Sequence, residues 1–198
     1  MASLENEYMI WLMLKRGQPE SIDLMVTTYY GDLYYYGLKL SQDNALVEDC
    51  IQEVLVNMWE KRSTLEEIFS LKPYLIKSLK RRLIRKLSNQ QREIDQNKEI
   101  STQTPLFSFS KEDTIITQQD SELKRRQLLA ALSKLSNRQR EIIYLKFYGE
   151  LDYEEIVEVM ALKRQSVHNL LQEAIKSLRN NFFEINNIVN LKNWQKAV

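Results

Sequence analysis

Six polar residues, Arg164, Gln165, Ser166, His168, Asn169 and Gln172, fall within nine positions at the start of a helical pattern. Arginine can donate two parallel hydrogen bonds to a guanine edge, and asparagine or glutamine can pair in the same way with adenine. The apolar residues Val167, Leu170, Leu171, Ala174 and Leu178 recur at helical spacing and belong to a core. The polar set is therefore left outside, either as a base-reading surface or as the plain polar surface of a helical bundle. A second group is cationic: Lys77, Lys80, Arg81, Arg82, Arg85 and Lys86, with no carboxylate from Pro73 to Leu87. Like charges this dense repel one another and favour a polyanionic partner. Six phosphate contacts would give a log–log salt slope of about −5 on duplex and about −4 on single-stranded nucleic acid.

The helix before it has the opposite character. From Ala45 to Glu60, Val47, Cys50, Ile51, Val54, Leu55, Met58 and Trp59 form one apolar face. Glu48, Asp49, Gln52, Glu53 and Glu60 occupy the other, with no cation before Lys61. That acidic face is either a solvated surface or a docking face for a basic partner. Net charge is only +1, so the sorting of charge along the chain carries the information.

Several chemistries are excluded. His168 is the single histidine, so neither a histidine metal cluster nor a catalytic triad can be assembled. The carboxylates lie on docking-type faces without histidine partners, which disfavours a metal-dependent nuclease. No catalytic residue, metal or cofactor is expected, and the chain does not read as an enzyme. Cys50 is the only cysteine, which fits a reducing cytoplasm. No run approaches 18 apolar residues, so membrane insertion is not expected. Residues Met1 to Leu14 carry Glu5 and Glu7 and lack a basic leader segment, so no secretory signal is read.

The elements that must position these groups are helical. With 4 Gly and 3 Pro in 198 residues, long helices are favoured over turn-rich sheets. Periodicity divides the chain into an extension (1–20), a helical domain (21–87), a polar linker (88–120), a second helical domain (121–180) and a tail (181–198). The expected fold is all-α, two small helical domains joined by a flexible linker. A 33-residue tether has an r.m.s. span of roughly 30 Å. Leu75, Leu79, Leu83 and Leu87 mark the buried stripe of a helix over Pro73 to Leu87. Ser136 and Gln139 have capping-box spacing, and Asp152 with Glu155 repeats it. Gly149 is expected to stop the first of these helices. Tyr153 to Met160, a break at Ala161-Leu162-Lys163 and a helix from Arg164 to about Arg179 give a helix-turn-helix plan, whose second helix enters the major groove. The tail, with Phe182, Phe183, Ile185, Ile188, Val189, Leu191 and Trp194, is amphipathic and either caps this domain or contacts a regulator.

The segments Leu135–Ile143, Leu151–Met160 and Ser166–Leu171 closely resemble region 4 of sigma-70-type RNA polymerase sigma factors. Glu48–Val54 with Trp59 resembles region 2.2, and Lys72–Arg82 resembles region 2.4, with Tyr29, Tyr30, Leu33 and Tyr34 matching the opening helices of region 2. The chain has no room for region 1.1 or region 3, which points to the two-domain extracytoplasmic-function group. The resemblance implies a subunit that binds core RNA polymerase through the β′ clamp helices and the β flap and directs it to promoter DNA, with an anti-sigma factor as a further partner of such proteins. Carried over by position, Asp49, Gln52 and Glu53 would hold the clamp. Lys61, Arg62, Lys77, Lys80, Arg81 and Arg85, with the loop Lys61 to Leu71, would engage the −10 strand. Arg138, Arg164, Gln165, Ser166, His168, Asn169 and Gln172 would contact the −35 duplex. Departures from the family pattern include Lys80-Arg81 for Arg-Asn, Val157 for a small Ala, Ala161 for a turn Gly and Lys163 for a capping Ser. The competing reading is a helix-turn-helix regulator that binds operators without joining polymerase; it leaves the acidic and basic helices unexplained.

Overall fold

Residues 4–66, 70–94, 106–109 and 122–196 are described by the computed structural model, and among these residues there are eight helices and no strand. The chain forms two compact units. Residues 1–106 hold α1–α4, and residues 107–157 with 162–198 hold α5, α6, α8 and most of α7.

In the first unit α1 (Leu4–Lys15) packs on α2 (Glu20–Leu40), and α2, α3 (Asn44–Glu60) and α4 (Leu71–Ile94) pack on one another. The core joins Leu14, Met25, Tyr29, Leu33 and Tyr36 to Val47, Cys50, Ile51 and Met58 and to Leu75, Ile76, Leu79 and Leu83. Burying each such aliphatic or aromatic side chain contributes about 1.5–3 kcal/mol before entropy is counted. Asp43 caps α3 by accepting the Leu46 N–H at 3.1 Å. Gly37 lets α2 approach α3 closely: a Cβ there would stand 2.5 Å from Val47 Cγ1. The acidic helix forms as expected. The basic helix is longer at both ends than its periodicity indicates, starting at Leu71 and running to Ile94. Leu87 is half-buried where Ile76 is fully buried. Residues 88–94 offer no apolar face for periodicity to detect, but they contain no Gly or Pro to end the helix.

In the second unit α5 (Glu122–Ser133) and α6 (Asn137–Phe147) pack against α8 (Arg164–Lys196), with α7 (Tyr153–Met160) preceding it. Ala131, Leu132, Leu135, Ile142, Leu145, Leu151, Ile156, Val167, Leu171 and Ala174 form the core. Both caps are made. Gln139 N–H donates to Ser136 Oγ at 3.3 Å and Ser136 N–H to Gln139 Oε1 at 3.0 Å. Glu155 N–H donates to Asp152 Oδ1 at 2.8 Å and Asp152 N–H to Glu155 Oε2 at 2.9 Å. Gly149 does follow α6, but the left-handed residue is Glu150 (φ 56°). What position 149 cannot hold is a side chain, since a Cβ would lie 2.9 Å from the Leu145 carbonyl oxygen.

Helix α8 does not stop near Arg179; it continues to Lys196. Asn181 Nδ2 donates to the Ala131 carbonyl at 3.2 Å and Lys134 pairs with Glu184 at 3.3 Å, so the start of the tail lies along α5. Phe182 and Ile185 are half-buried and Phe183 is exposed. The side chains of Ile188, Val189, Leu191 and Trp194 lie outside the described residues, as does most of the expected linker.

One short part of that linker is described, and it packs on the second unit. Phe107 is 1% exposed, with its ring 5.5 Å from Tyr144 and 6.1 Å from Phe109. Phe109 lies 5.6 Å from Tyr148, and Tyr144 stacks on Tyr148 at 5.5 Å. The Phe107 N–H donates to Asn137 Oδ1. A polar stretch thus carries an aromatic anchor.

Candidate nucleic-acid interface

The start of α8 presents the side chains that could read bases. Val167, Leu171 and Ala174 are buried, which turns Arg164, Gln165, Ser166, His168, Asn169 and Gln172 to solvent, and all six are exposed. They are not independent. Gln165 Nε2 donates to Asn169 Oδ1 at 2.9 Å, Gln172 lies 3.4 Å from His168 Nε2, and Arg164 pairs with Glu154 of α7 at 2.9 Å. Tyr153 sits 6.1 Å from the His168 ring. These contacts are exposed and weak, so a base edge or phosphate can displace them. Arg138 is exposed in the first turn of α6.

The turn between α7 and α8 is three residues long and opens with Ala161 at φ 52°. This is the left-handed conformation that glycine adopts most cheaply. Alanine here bears a backbone cost, yet the helix-turn-helix is formed.

In the first unit, Asp49, Gln52 and Glu53 come together on α3 beside Val56, Asn57 and Glu60, forming one shallow surface. Asp49 and Gln52 are exposed and Glu53 is partly covered. Across a cleft of about 580 Å³ stand Lys61, Arg81 and Arg85, with Tyr74, Ser78 and Asn89. Arg81 and Arg85 are exposed, and Lys77 and Lys80 are partly covered. Arg62 is engaged internally: its guanidinium lies 4.3 Å over the Trp59 ring and donates to the Trp59 carbonyl at 2.8 Å.

The acidic and basic helices are not electrically separate. Glu53 accepts from Lys86 at 2.8 Å and from Arg82, which joins the acidic face of α3 to α4. The Lys86 hydrogen bond, then the Arg82 one, holds the Glu53 carboxyl below its ordinary range against the effect of burial. Neither Arg82 nor Lys86 stands out as a partner of Glu53 in the sequence, because pairs 29 and 33 residues apart leave no periodic signal. Among the described residues, no group of three or more His, Cys, Asp or Glu could hold a metal ion. No described helix is long and apolar enough to cross a membrane.

Two family profiles match this chain. "Sigma-70 region 2" covers residues 25–93, which are α2–α4, and "Sigma-70, region 4" covers residues 125–178, which run from α5 into α8. Together they span well over half of the sequence, in the family's own order. The chain belongs to the sigma-70 family. Its fold is shared by the sigma factor RpoE of Bartonella quintana, solved in complex with the anti-sigma factor NepR. That match has a TM-score of 0.58 at 19% identity, over 85% of this chain and 98% of the other. CnrH, solved in complex with the cytosolic domain of CnrY, matches with a TM-score of 0.57 at 14% identity, over 88% and 95% of the two chains. No curated protein sequence matches. The sigma factor described here thus has its region 2 helices in one unit and most of its region 4 segment in the other. It binds core RNA polymerase and promoter DNA and serves transcription initiation.

Proposed function

We propose that the two units divide the work of promoter recognition residue by residue. The observation that carries this reading is the exposed set at the start of α8 in the same chain as a region 2 unit whose α3 and α4 bear opposite charge. Asp49, Gln52 and Glu53 dock the sigma factor on the β′ clamp helices of core polymerase, and the second unit meets the β flap. Lys61, Arg62, Lys77, Lys80, Arg81 and Arg85 hold the opened −10 strand, whose backbone needs cations and whose unstacked bases need a cleft. Arg138, Arg164, Gln165, Ser166, His168, Asn169 and Gln172 face the −35 duplex. The protein acts in the cytoplasm as a specificity subunit without catalytic activity of its own. RpoE and CnrH were each solved with a bound partner. By analogy an anti-sigma factor is a further partner here.

The test is transcription by core polymerase with this protein on a pool of genomic fragments. Promoter-directed transcripts that weaken when Asp49 and Glu53 are both changed to Lys support the reading. Tight operator binding by the protein alone, without a stable complex with core, would favour a free-standing regulator.

A further inference from the structure

We propose that α1 is a positioning element for the loop between α3 and α4, and that Glu7 and Lys15 set the base preference of that loop on the opened −10 strand. This rests on the reading above, in which the loop meets the strand. The described part of the loop, Lys61 to Glu66, is a single turn closed by Thr64 and Leu65 N–H groups on the Lys61 carbonyl. A loop that must present side chains to within a fraction of an ångström needs to be held from outside.

Helix α1 holds it on both sides. Lys15 Nζ donates to the Leu65 carbonyl at 2.9 Å and to the Ser63 carbonyl at 3.4 Å. On the far side, Glu7 Oε2 accepts from Ser70 Oγ at 3.0 Å and from the Leu71 N–H at 3.4 Å. Leu71 opens α4, so this carboxylate caps the helix from 64 residues away, where negative charge is favoured. Glu7 Oε1 accepts from the Tyr29 hydroxyl at 2.9 Å. That phenol is buried and faces Glu7, both of which push its pKa up, so it stays protonated and donates. Glu7 and Lys15 lie about 12 Å apart along α1.

Helix α1 is itself anchored, with Ile10, Trp11 and Leu14 buried. Just beyond it, Gly17 (φ 69°) abuts Arg62, since a Cβ there would stand 3.2 Å from the guanidinium Nε. The region 2 profile begins at residue 25, so neither Glu7 nor Lys15 belongs to the matched segment. Lys15 is exposed and contributes little to folding, which makes a directional role for its two carbonyl contacts the better account.

The experiment uses holoenzyme on a template pool randomised across the −10 element, with transcripts sequenced to give the ratio of preferred to disfavoured bases at each position. Lys15→Met and Glu7→Ala are expected to lower that ratio roughly ten-fold, the scale of one well-placed set of base contacts. Lys15→Arg keeps the donor to the loop carbonyls, and Glu7→Gln keeps an acceptor for Ser70 and Leu71 while its amide N–H can donate to the Tyr29 oxygen, so both should restore most of it. A unit that was only destabilised would lose activity on every template alike and leave the ratios unmoved. Unchanged ratios in Lys15→Met and Glu7→Ala, with altered ratios in Lys61→Ala and Arg62→Ala, would overturn the proposal while sparing the loop's role. Unchanged ratios in all four would remove the loop from −10 reading and the proposal with it.

Discussion

Truncating Phe107 to alanine should release the short segment 106–109 without unfolding the second unit. Seated, the Phe107 side chain contributes about 1.5–3 kcal/mol by burial. The half-buried Phe109 adds on the order of 1 kcal/mol by the same measure, and the ring contacts with Tyr144 and Tyr148 about another 1 kcal/mol. The hydrogen bond to Asn137 adds about 1 kcal/mol. Ordering four backbone residues costs about 1–2 kcal/mol each, so gain and cost nearly cancel and Phe107 decides the balance. Because the segment can leave, the loss of unit stability in Phe107→Ala is limited to its small net docking free energy, about 1 kcal/mol. Leu145→Ala, inside α6 with no exit route and 0% exposed, should cost about 2–5 kcal/mol. Hydrogen exchange read by mass spectrometry would show 106–109 deprotected in Phe107→Ala while α6 keeps most of its protection. A loss of stability equal to that of Leu145→Ala, or unchanged exchange at 106–109, would refute the reasoning. Function should follow chain length. With Phe107 seated, 12 residues separate it from Ile94, a reach of roughly 40 Å at full extension. With it released, 27 residues lie between Ile94 and Glu122, a reach of roughly 95 Å. Phe107→Ala holoenzyme should therefore accept a wider range of spacings between the two promoter elements.

Three other outcomes are expected. Glu53 has a folded-state pKa below its ordinary 4.5 because Lys86 and Arg82 bond its ionised form. The stability it supplies is thus present above pH 4.5 and is lost as pH falls through the lower folded value. Since the Glu53 side chain is 41% exposed, the effect is about 0.2–1 kcal/mol after screening. Urea denaturation of Glu53→Gln should show a correspondingly flatter acid limb. Gly37→Ala should lower stability by about 1–3 kcal/mol through overpacking against Val47, and adding Val47→Ala should recover part of that in denaturation midpoints. Ala161→Gly should raise the thermal midpoint of the protein, relieving about 0.5–1 kcal/mol of left-handed strain net of the added chain entropy. No gain would mean that the turn carries no such strain.

Local rules account for much of this protein. Capping at Ser136 and Asp152, the apolar faces of α3 and α8, and the break at 161–163 each depend on residues within one or two turns of chain, so their types and spacing can be read directly. The exposed Arg164, Asn169 and Gln172 follow from the same periodicity, because burying Val167 and Leu171 leaves them no other side. Helix length was less legible: residues 88–94 lack an apolar stripe, and no Gly or Pro marks where α8 passes from Arg179 into the amphipathic tail. Contacts that join distant segments had no signature at all. The Glu53 pairing with Arg82 and Lys86, the grip of Glu7 and Lys15 on the loop before α4, and the seat of Phe107 beside Tyr144 span 29 to 64 residues, and in each the residue type alone permits many partners. A side chain's periodic position says which way it faces. What it meets there is decided by the packing of whole helices, and only the folded chain contains that information.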